Sequence, residues 1–212
     1  MKRLTEYIYE KIKSLAPNIK GVIVFDIDDT LLKVDKNAIA VYKKEPGKPV
    51  KRMSTEDYAK DPDVQNHPEW FDISEFRNPT KVYNSIISGT PLLKNLKIMD
   101  AYIEAGYDFC FLTARSCEDV VKQALDDFLL RRTSDGTLKK LGDSFKKTIS
   151  HAVNDQLKKY PGETDYEKKA NVLKDICKKY DKVVFVDDDK KNVRAAKDLK
   201  ISNLTVIKAW DE

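Results

Sequence analysis

Short apolar runs recur along the chain, and three of them end directly in polar side chains. The runs at residues 22–25, 109–112 and 183–186 consist of aliphatic and aromatic residues with one cysteine. Such runs of roughly four to eight residues are typical of strands that are buried on both faces of a parallel sheet. A fourth run at residues 204–207 is expected to close the sheet.

Between the strands, apolar residues recur at the three- and four-residue spacing of one helix face. A first helix carries the stripe Leu4, Ile8, Ile12 and Leu15. Thr90-Pro91 predicts the start of another helix that ends at Gly106, and Thr164 with Glu167 forms a capping-box pattern. Strands that alternate with helices predict an α/β fold, a doubly wound, Rossmann-like parallel sheet with helices on both faces.

Residues 33–88 have a different character, because prolines stand at 46, 49, 62, 68 and 79 and no long helical period appears. We therefore predict a core formed by residues 1–32 and 89–212, with residues 33–88 as an inserted cap or flap lobe. Residues 131–162 also lack a clear pattern and are expected to form a second, smaller excursion.

Local signals within the insert predict a hairpin, a short helix and a small core. Pro46-Gly47 supplies a tight turn between two short strand-like segments, and Ser54 caps a brief helix. The aromatic residues are expected to form the lobe's own core, with a stacking platform for a base as the alternative. They are Trp70, Phe71 and Phe76.

Composition narrows the class of protein. The 212 residues are 41% hydrophobic and 35% charged, which is typical of a globular chain. The net charge of +4 comes from lysine pairs scattered along the chain, and these favour solvated helix faces over a nucleic-acid groove. No apolar run is long enough to span a membrane, so we expect a cytoplasmic protein without a membrane partner. The three cysteines are expected to be reduced.

The candidate chemistry lies where the apolar strands end. Asp26 and Asp28 follow the first strand, Thr113 follows the second, and Asp187-Asp188 follows the third. An open α/β sheet binds its ligand at the carboxyl ends of its strands. Clustered carboxylates need a cation, and oxygen ligands suit Mg²⁺. With Mg²⁺ bound, Asp26 can attack phosphorus while Asp28 acts as general acid and base.

These residues resemble the haloacid dehalogenase superfamily of phosphohydrolases. The family's first motif, Asp-x-Asp-x-Thr, stands here as Asp26-Ile27-Asp28-Asp29-Thr30. The resemblance implies that Asp26 forms an aspartyl-phosphate and that Asp28 is the acid/base, with its main-chain carbonyl also reaching the magnesium.

The other three family motifs are a strand that ends in Thr, a lysine near a helix start and an acidic pair. The resemblance implies that Thr113 holds the phosphoryl group and that Asp187 and Asp188 serve the magnesium, with Asp188 the more direct ligand. Lys169 best fits the catalytic and substrate-binding lysine. Lys168 and Lys174 are the alternatives. Asn192 stands where many members carry an aspartate.

Arg115 follows Thr113 by two residues and is a candidate substrate-binding residue. It could contact phosphate or pair with a nearby acid, and the sequence favours neither. The resemblance as a whole implies a magnesium-dependent phosphomonoester hydrolase.

The insert would screen the site and select the substrate. A phosphorylated nucleotide or nucleic-acid end is the first expectation, and a small phosphometabolite or a phosphoprotein follows. The alternatives to a hydrolase are a phosphoryl-accepting signalling module and a catalytically silent binding protein.

Overall fold

The computed structural model describes residues 20–134, 136, 148–155 and 157–209. The predicted first helix lies outside these residues, as do residues 135, 137–147 and 156 of the predicted second excursion. The described part is an α/β structure with a five-stranded parallel sheet and helices, which is consistent with a Rossmann-like fold.

The strands, in chain order, are β1 (Gly21–Phe25), β2 (Leu32–Lys33), β3 (Val41–Lys43), β4 (Lys51–Met53), β5 (Phe71–Asp72), β6 (Thr90–Pro91), β7 (Asp108–Thr113), β8 (Ile149–Ala152), β9 (Lys182–Asp187) and β10 (Leu204–Lys208). The helices are α1 (Thr55–Lys60), α2 (Asp63–Asn66), α3 (Pro79–Ile87), α4 (Leu93–Glu104), α5 (Glu118–Ser134), α6 (Asp165–Cys177) and α7 (Lys190–Asp198). Single 3-10 turns lie at Pro68–Trp70 and Ser74–Arg77.

The strand order in the parallel sheet is β10-β9-β1-β7-β8, so β1 is central. Its side chains alternate between two cores: Ile23 and Phe25 pack with α3, α4 and α5, whereas Val22 and Val24 pack with α6 and α7. Burial on both faces explains why β1 has no polar position. All four of its predicted core residues are at most 1% exposed.

The register brings the ends of three strands to one level. Phe25 pairs with Phe111 on β7 and with Val186 on β9. Because the strands are parallel, the residues that follow these pairs emerge at the same edge of the sheet. The predicted site residues at the carboxyl ends of β1, β7 and β9 are therefore close together.

Strand β8 was not predicted. It pairs with β7 at the edge of the sheet, from Ile149 opposite Cys110 to Ala152 opposite Thr113. Ile149 is 46% exposed, and the strand contains Ser150 and His151. An edge strand needs no unbroken apolar run, so the pattern used for the central strands overlooked it.

The predicted helix start at Thr90-Pro91 is wrong. These residues form β6, which pairs antiparallel with β2, and α4 begins at Leu93. The Leu92 N–H donates to the Leu31 carbonyl at 2.9 Å, which anchors the chain before the helix begins. The apolar face of the helix, formed by Leu96, Met99 and Ile103, is buried.

The local predictions for the insert are confirmed. Strands β3 and β4 form the hairpin, and β5 adds a third antiparallel strand to it. The Ser54 hydroxyl accepts from the Asp57 N–H and caps α1. Phe71 is buried in a separate small core, and Trp70 and Phe76 pack against it. Helix α3, at the end of the insert, instead packs in the main core.

The capping box at the start of α6 is also confirmed. The Thr164 hydroxyl accepts from the Glu167 N–H, and the Glu167 carboxylate accepts from the Thr164 N–H. This fixes the first turn of the helix that carries the three candidate lysines.

Two further expectations concern the cysteines and the membrane. All three cysteines are free; Cys110 and Cys177 are buried and Cys117 is half-buried. Within the described ranges, no helix combines the length and apolarity that crossing a membrane would require.

Candidate active site

The loop after β1 is shaped by hydrogen bonds that curl it back on itself. The N–H groups of Thr30 and Leu31 both donate to the Ile27 carbonyl. Asp29 adopts a left-handed conformation with φ of 53°, which aspartate tolerates better than most residues. The buried Asn95 amide donates to the Thr30 carbonyl at 2.8 Å. The loop is thereby fixed to α4.

Lys169 bridges two of the predicted carboxylates. Its Nζ donates to Asp26 Oδ1 at 2.8 Å and to Asp187 Oδ2 at 2.9 Å. Lys169 is only 2% exposed. Of the three candidate lysines, Lys169 is thus the one that contacts these carboxylates, whereas Lys168 bonds to Asn154 and Lys174 to Asn171.

Asp187 is fully buried and surrounded by donors. Besides Lys169, the Asp189 N–H donates to Oδ1 at 2.9 Å, and the Asn192 amide donates to Oδ1 at 3.1 Å and Oδ2 at 3.0 Å. With both oxygens engaged, Asp187 is suited to orient its neighbours. Asn192 therefore supports Asp187 where the family pattern has an acid.

Asp188 is the most available carboxylate of the group. It is half-buried, and Thr30 Oγ1 lies 3.1 Å from its Oδ1 and accepts from its N–H at 3.1 Å. Thr30 thus ties the loop after β1 to the loop after β9.

Oxygens of Asp26, Asp187 and Asp188 lie within 4.8 Å of one another. With Lys169, these groups carry three negative charges and one positive charge when ionised, a balance of −2. Burial raises the pKa of Asp26, and burial together with Asp187 raises the pKa of Asp188 to about 6. A divalent cation on these oxygens would remove the imbalance, and an all-oxygen donor set fits a hard metal ion.

The Asp28 carboxylate is not part of this cluster. Arg115 binds it with two hydrogen bonds, Nε to Oδ2 at 2.9 Å and Nη2 to Oδ1 at 2.7 Å. Burial opposes ionisation of Asp28, but the adjacent Arg115 charge outweighs it and lowers the pKa of Asp28. The sequence left open whether Arg115 contacts phosphate or pairs with an acid, and in the structure it pairs with Asp28. The prediction of Asp28 as a metal residue now rests on its main-chain carbonyl alone.

Arg115 and Thr113 are both anchored from the core. Arg115 Nη1 donates to the Ser85 hydroxyl on α3 at 2.8 Å, and its side chain is 9% exposed. Thr113 is fully buried at the end of β7, where its hydroxyl accepts from the Arg115 N–H at 3.3 Å. The sequence did not indicate Ser85 or Asn95, because neither stands at a strand end or in a motif.

No family model matches the chain, and no curated protein matches it.

The cluster predicts which aspartate controls metal binding. Addition of Mg²⁺ or Mn²⁺ should raise the melting temperature of the protein, because a ligand that binds only the folded state stabilises it. Asp188→Asn should weaken metal affinity by about tenfold or more, since it removes a directly available oxygen. Asp28→Asn, the matched control, should leave the metal-induced shift nearly unchanged. If calorimetric titration shows that the two variants lose metal affinity equally, the metal does not bind at this cluster.

The two adjacent lysines provide a second prediction. In EDTA, Lys169→Met should lower the free energy of unfolding by about 3 kcal/mol, because it leaves two buried carboxylates without their cation. Lys168→Met should cost about 1 kcal/mol or less, the value of one partly exposed hydrogen bond. Urea unfolding measures both, and similar costs would show that Lys169 is not the central cation.

Proposed function

We propose that this chain is a magnesium-dependent phosphomonoester hydrolase of the haloacid dehalogenase type, which acts through an aspartyl-phosphate on Asp26. The observation that carries the proposal is the place of Asp26 at the end of the central strand, bonded to Lys169 at 2.8 Å. Asp187 and Asp188 lie beside it. This arrangement supports the first, third and fourth motifs of the resemblance.

Asp26 and Asp188 would hold the Mg²⁺ together with the Asp28 main-chain carbonyl, and Asp187 would orient the site. When bound, Mg²⁺ supplies charge neutralisation between the Asp26 carboxylate and an incoming phosphate. Lys169 already supplies part of that neutralisation from within the protein.

The chain's own residues then account for two steps. An Asp26 oxygen attacks phosphorus, the phosphorus–oxygen bond to the leaving group breaks, and Asp28 protonates the departing oxygen. In the second step Asp28 takes a proton from water, the water oxygen attacks the same phosphorus, and phosphate and free Asp26 are released. Thr113, at the carboxyl end of β7, would hold the phosphoryl group through its hydroxyl.

The Arg115–Asp28 pair sets a condition on this mechanism. Asp28 can donate a proton only after it has acquired one, and Arg115 opposes that by holding both oxygens of the carboxylate. A substrate phosphate offers Arg115 a second anionic partner. Substrate binding would therefore release Asp28 for proton transfer, and Arg115 would contribute to substrate binding as well as to the resting pair.

From the same resemblance we propose that the parallel sheet is doubly wound and that the insert acts as a cap. The insert has its own three-stranded sheet and its own small core. The Ser116 hydroxyl bonds to the Phe76 carbonyl, so the insert is joined to the core near the site. Phosphorylated nucleotides or nucleic-acid ends remain the first proposed substrates, in the cytoplasm, and small phosphometabolites or phosphoproteins the second.

Hydrolysis of p-nitrophenyl phosphate tests the proposal. The purified chain should release p-nitrophenol with Mg²⁺ and stop in EDTA. Asp26→Asn should lower kcat by about a thousandfold or more, because the nucleophile is lost. Asp29→Asn is the matched control and should retain activity, and circular dichroism should show both variants folded. Full activity in folded Asp26→Asn would refute Asp26 as the nucleophile.

A further inference from the structure

Two cavities adjoin the site and share Arg115, Ile39 and Phe76 in their walls. The β8 cavity, of about 790 Å³, lies between the insert and the segment that follows β8. The β2 cavity, of about 940 Å³, lies between the insert and the loop that contains Asp28 and Asp29. Both have the size of a small-molecule site.

The two cavities differ in charge. The β8 cavity has five basic residues, Arg77, Arg115, Lys158, Lys159 and Lys168, and two acidic ones, Asp155 and Asp165. The β2 cavity has three basic residues, Lys33, Lys36 and Arg115, and four acidic ones, Asp28, Asp29, Asp35 and Glu56. An anion that extends from the site is therefore favoured in the β8 cavity.

Two cations of the β8 cavity are available to a ligand. Lys158 is paired with Glu118, and Lys168 donates to Asn154 at 2.8 Å. Among the residues that the structure describes, the exposed side chains of Arg77 and Lys159 have neither a hydrogen bond nor an ion pair. A ligand could bind them without breaking an existing contact.

The segment that presents Lys159 is held in place by Glu118 at the start of α5. The Glu118 carboxylate accepts from the Tyr160 hydroxyl at 2.5 Å and from the Ala152 N–H at 3.1 Å. Asp155 accepts from the Glu118 N–H at 2.6 Å in return. Contacts on both sides of Lys159 reduce the entropy that binding would otherwise lose.

Aromatic rings also line the β8 cavity. The insert contributes Tyr58 and Phe76, and the segment after β8 contributes Tyr160. The faces of such rings bind flat heterocycles with little dependence on their identity. Trp70 and Phe71 do not line either cavity, so the stacking surface differs from the one that the sequence suggested.

We propose that the β8 cavity binds the leaving group of the substrate, and that this group is a nucleoside that carries a second phosphate in addition to the one that is cleaved. The phosphate to be cleaved lies at Asp26, the heterocycle lies among Tyr58, Phe76 and Tyr160, and the second phosphate contacts Arg77 and Lys159. The inference rests on the proposed function and narrows its substrate class. A free nucleoside bisphosphate and the phosphorylated end of an oligonucleotide share this chemistry.

Equilibrium binding to the folded Asp26→Asn chain tests the cavity without turnover. Calorimetry in EDTA should show that adenosine 3′,5′-bisphosphate binds about tenfold more tightly than adenosine 5′-monophosphate, the scale expected for one well-placed charged contact. Arg77→Gln and Lys159→Gln should each reduce this preference. Lys33→Gln, which removes the same charge from the β2 cavity, should leave it intact.

Equal affinity for the two nucleotides would overturn the proposal, as would an equal loss of preference in Lys33→Gln. The ring contact has its own test, in which Tyr58→Leu should weaken adenosine 5′-monophosphate but not ribose 5-phosphate. If Tyr58→Leu weakens both equally, the heterocycle does not lie in this cavity.

A 5′-phosphorylated trinucleotide distinguishes the two sources of the ligand. If the trinucleotide binds more tightly, the cavity accepts a nucleic-acid end. If the bisphosphate binds more tightly, the cavity accepts a free nucleotide. A binding preference in a chain that hydrolyses no phosphomonoester would refute the proposed function alone. Hydrolysis of p-nitrophenyl phosphate by a chain without the preference would refute only the cavity.

Discussion

The candidate site depends on the buried ammonium group of Lys169, which bonds to two aspartates at the carboxyl ends of the strands. Asp26 and Asp187 end neighbouring strands and cannot both be ionised in a buried position without a cation between them. Lys169 Nζ lies within 2.9 Å of both. Its position follows from α6, whose first turn is fixed by the capping box at Thr164 and whose apolar face packs under the sheet.

Around this contact the site divides into two charge systems. Asp26, Asp187 and Asp188 retain an excess of negative charge that suits a divalent cation. Asp28 and Arg115 form a separate pair that is joined to α3 through Ser85. The first system suits neutralisation of a phosphoryl group, and the second suits the control of a proton. Arg115 also borders both cavities, so under the proposed function it would contribute both to substrate entry and to acid catalysis.

The site residues that could be predicted from the sequence are those that stand next to a recognisable local pattern. Asp26, Thr113 and Asp187 each follow a buried apolar run, and parallel strands bring such ends together. Lys169 could be ranked first by its helix position, but only the fold separates it from Lys168. Edge strand β8 and the anchors Ser85 and Asn95 have no local signal, because their roles come from partners distant in sequence. The bidentate geometry of Arg115 likewise depends on a partner 87 residues away.

The most direct test of the account is the site of covalent phosphorylation. The Asp28→Asn chain should be incubated with p-nitrophenyl phosphate and Mg²⁺, because p-nitrophenolate leaves without a proton and the first step can still proceed. Intact mass and peptide mapping should then show one phosphoryl group, on Asp26, that persists because water is not activated. A phosphoryl group on another residue, or undiminished turnover with no trapped intermediate, would contradict the account.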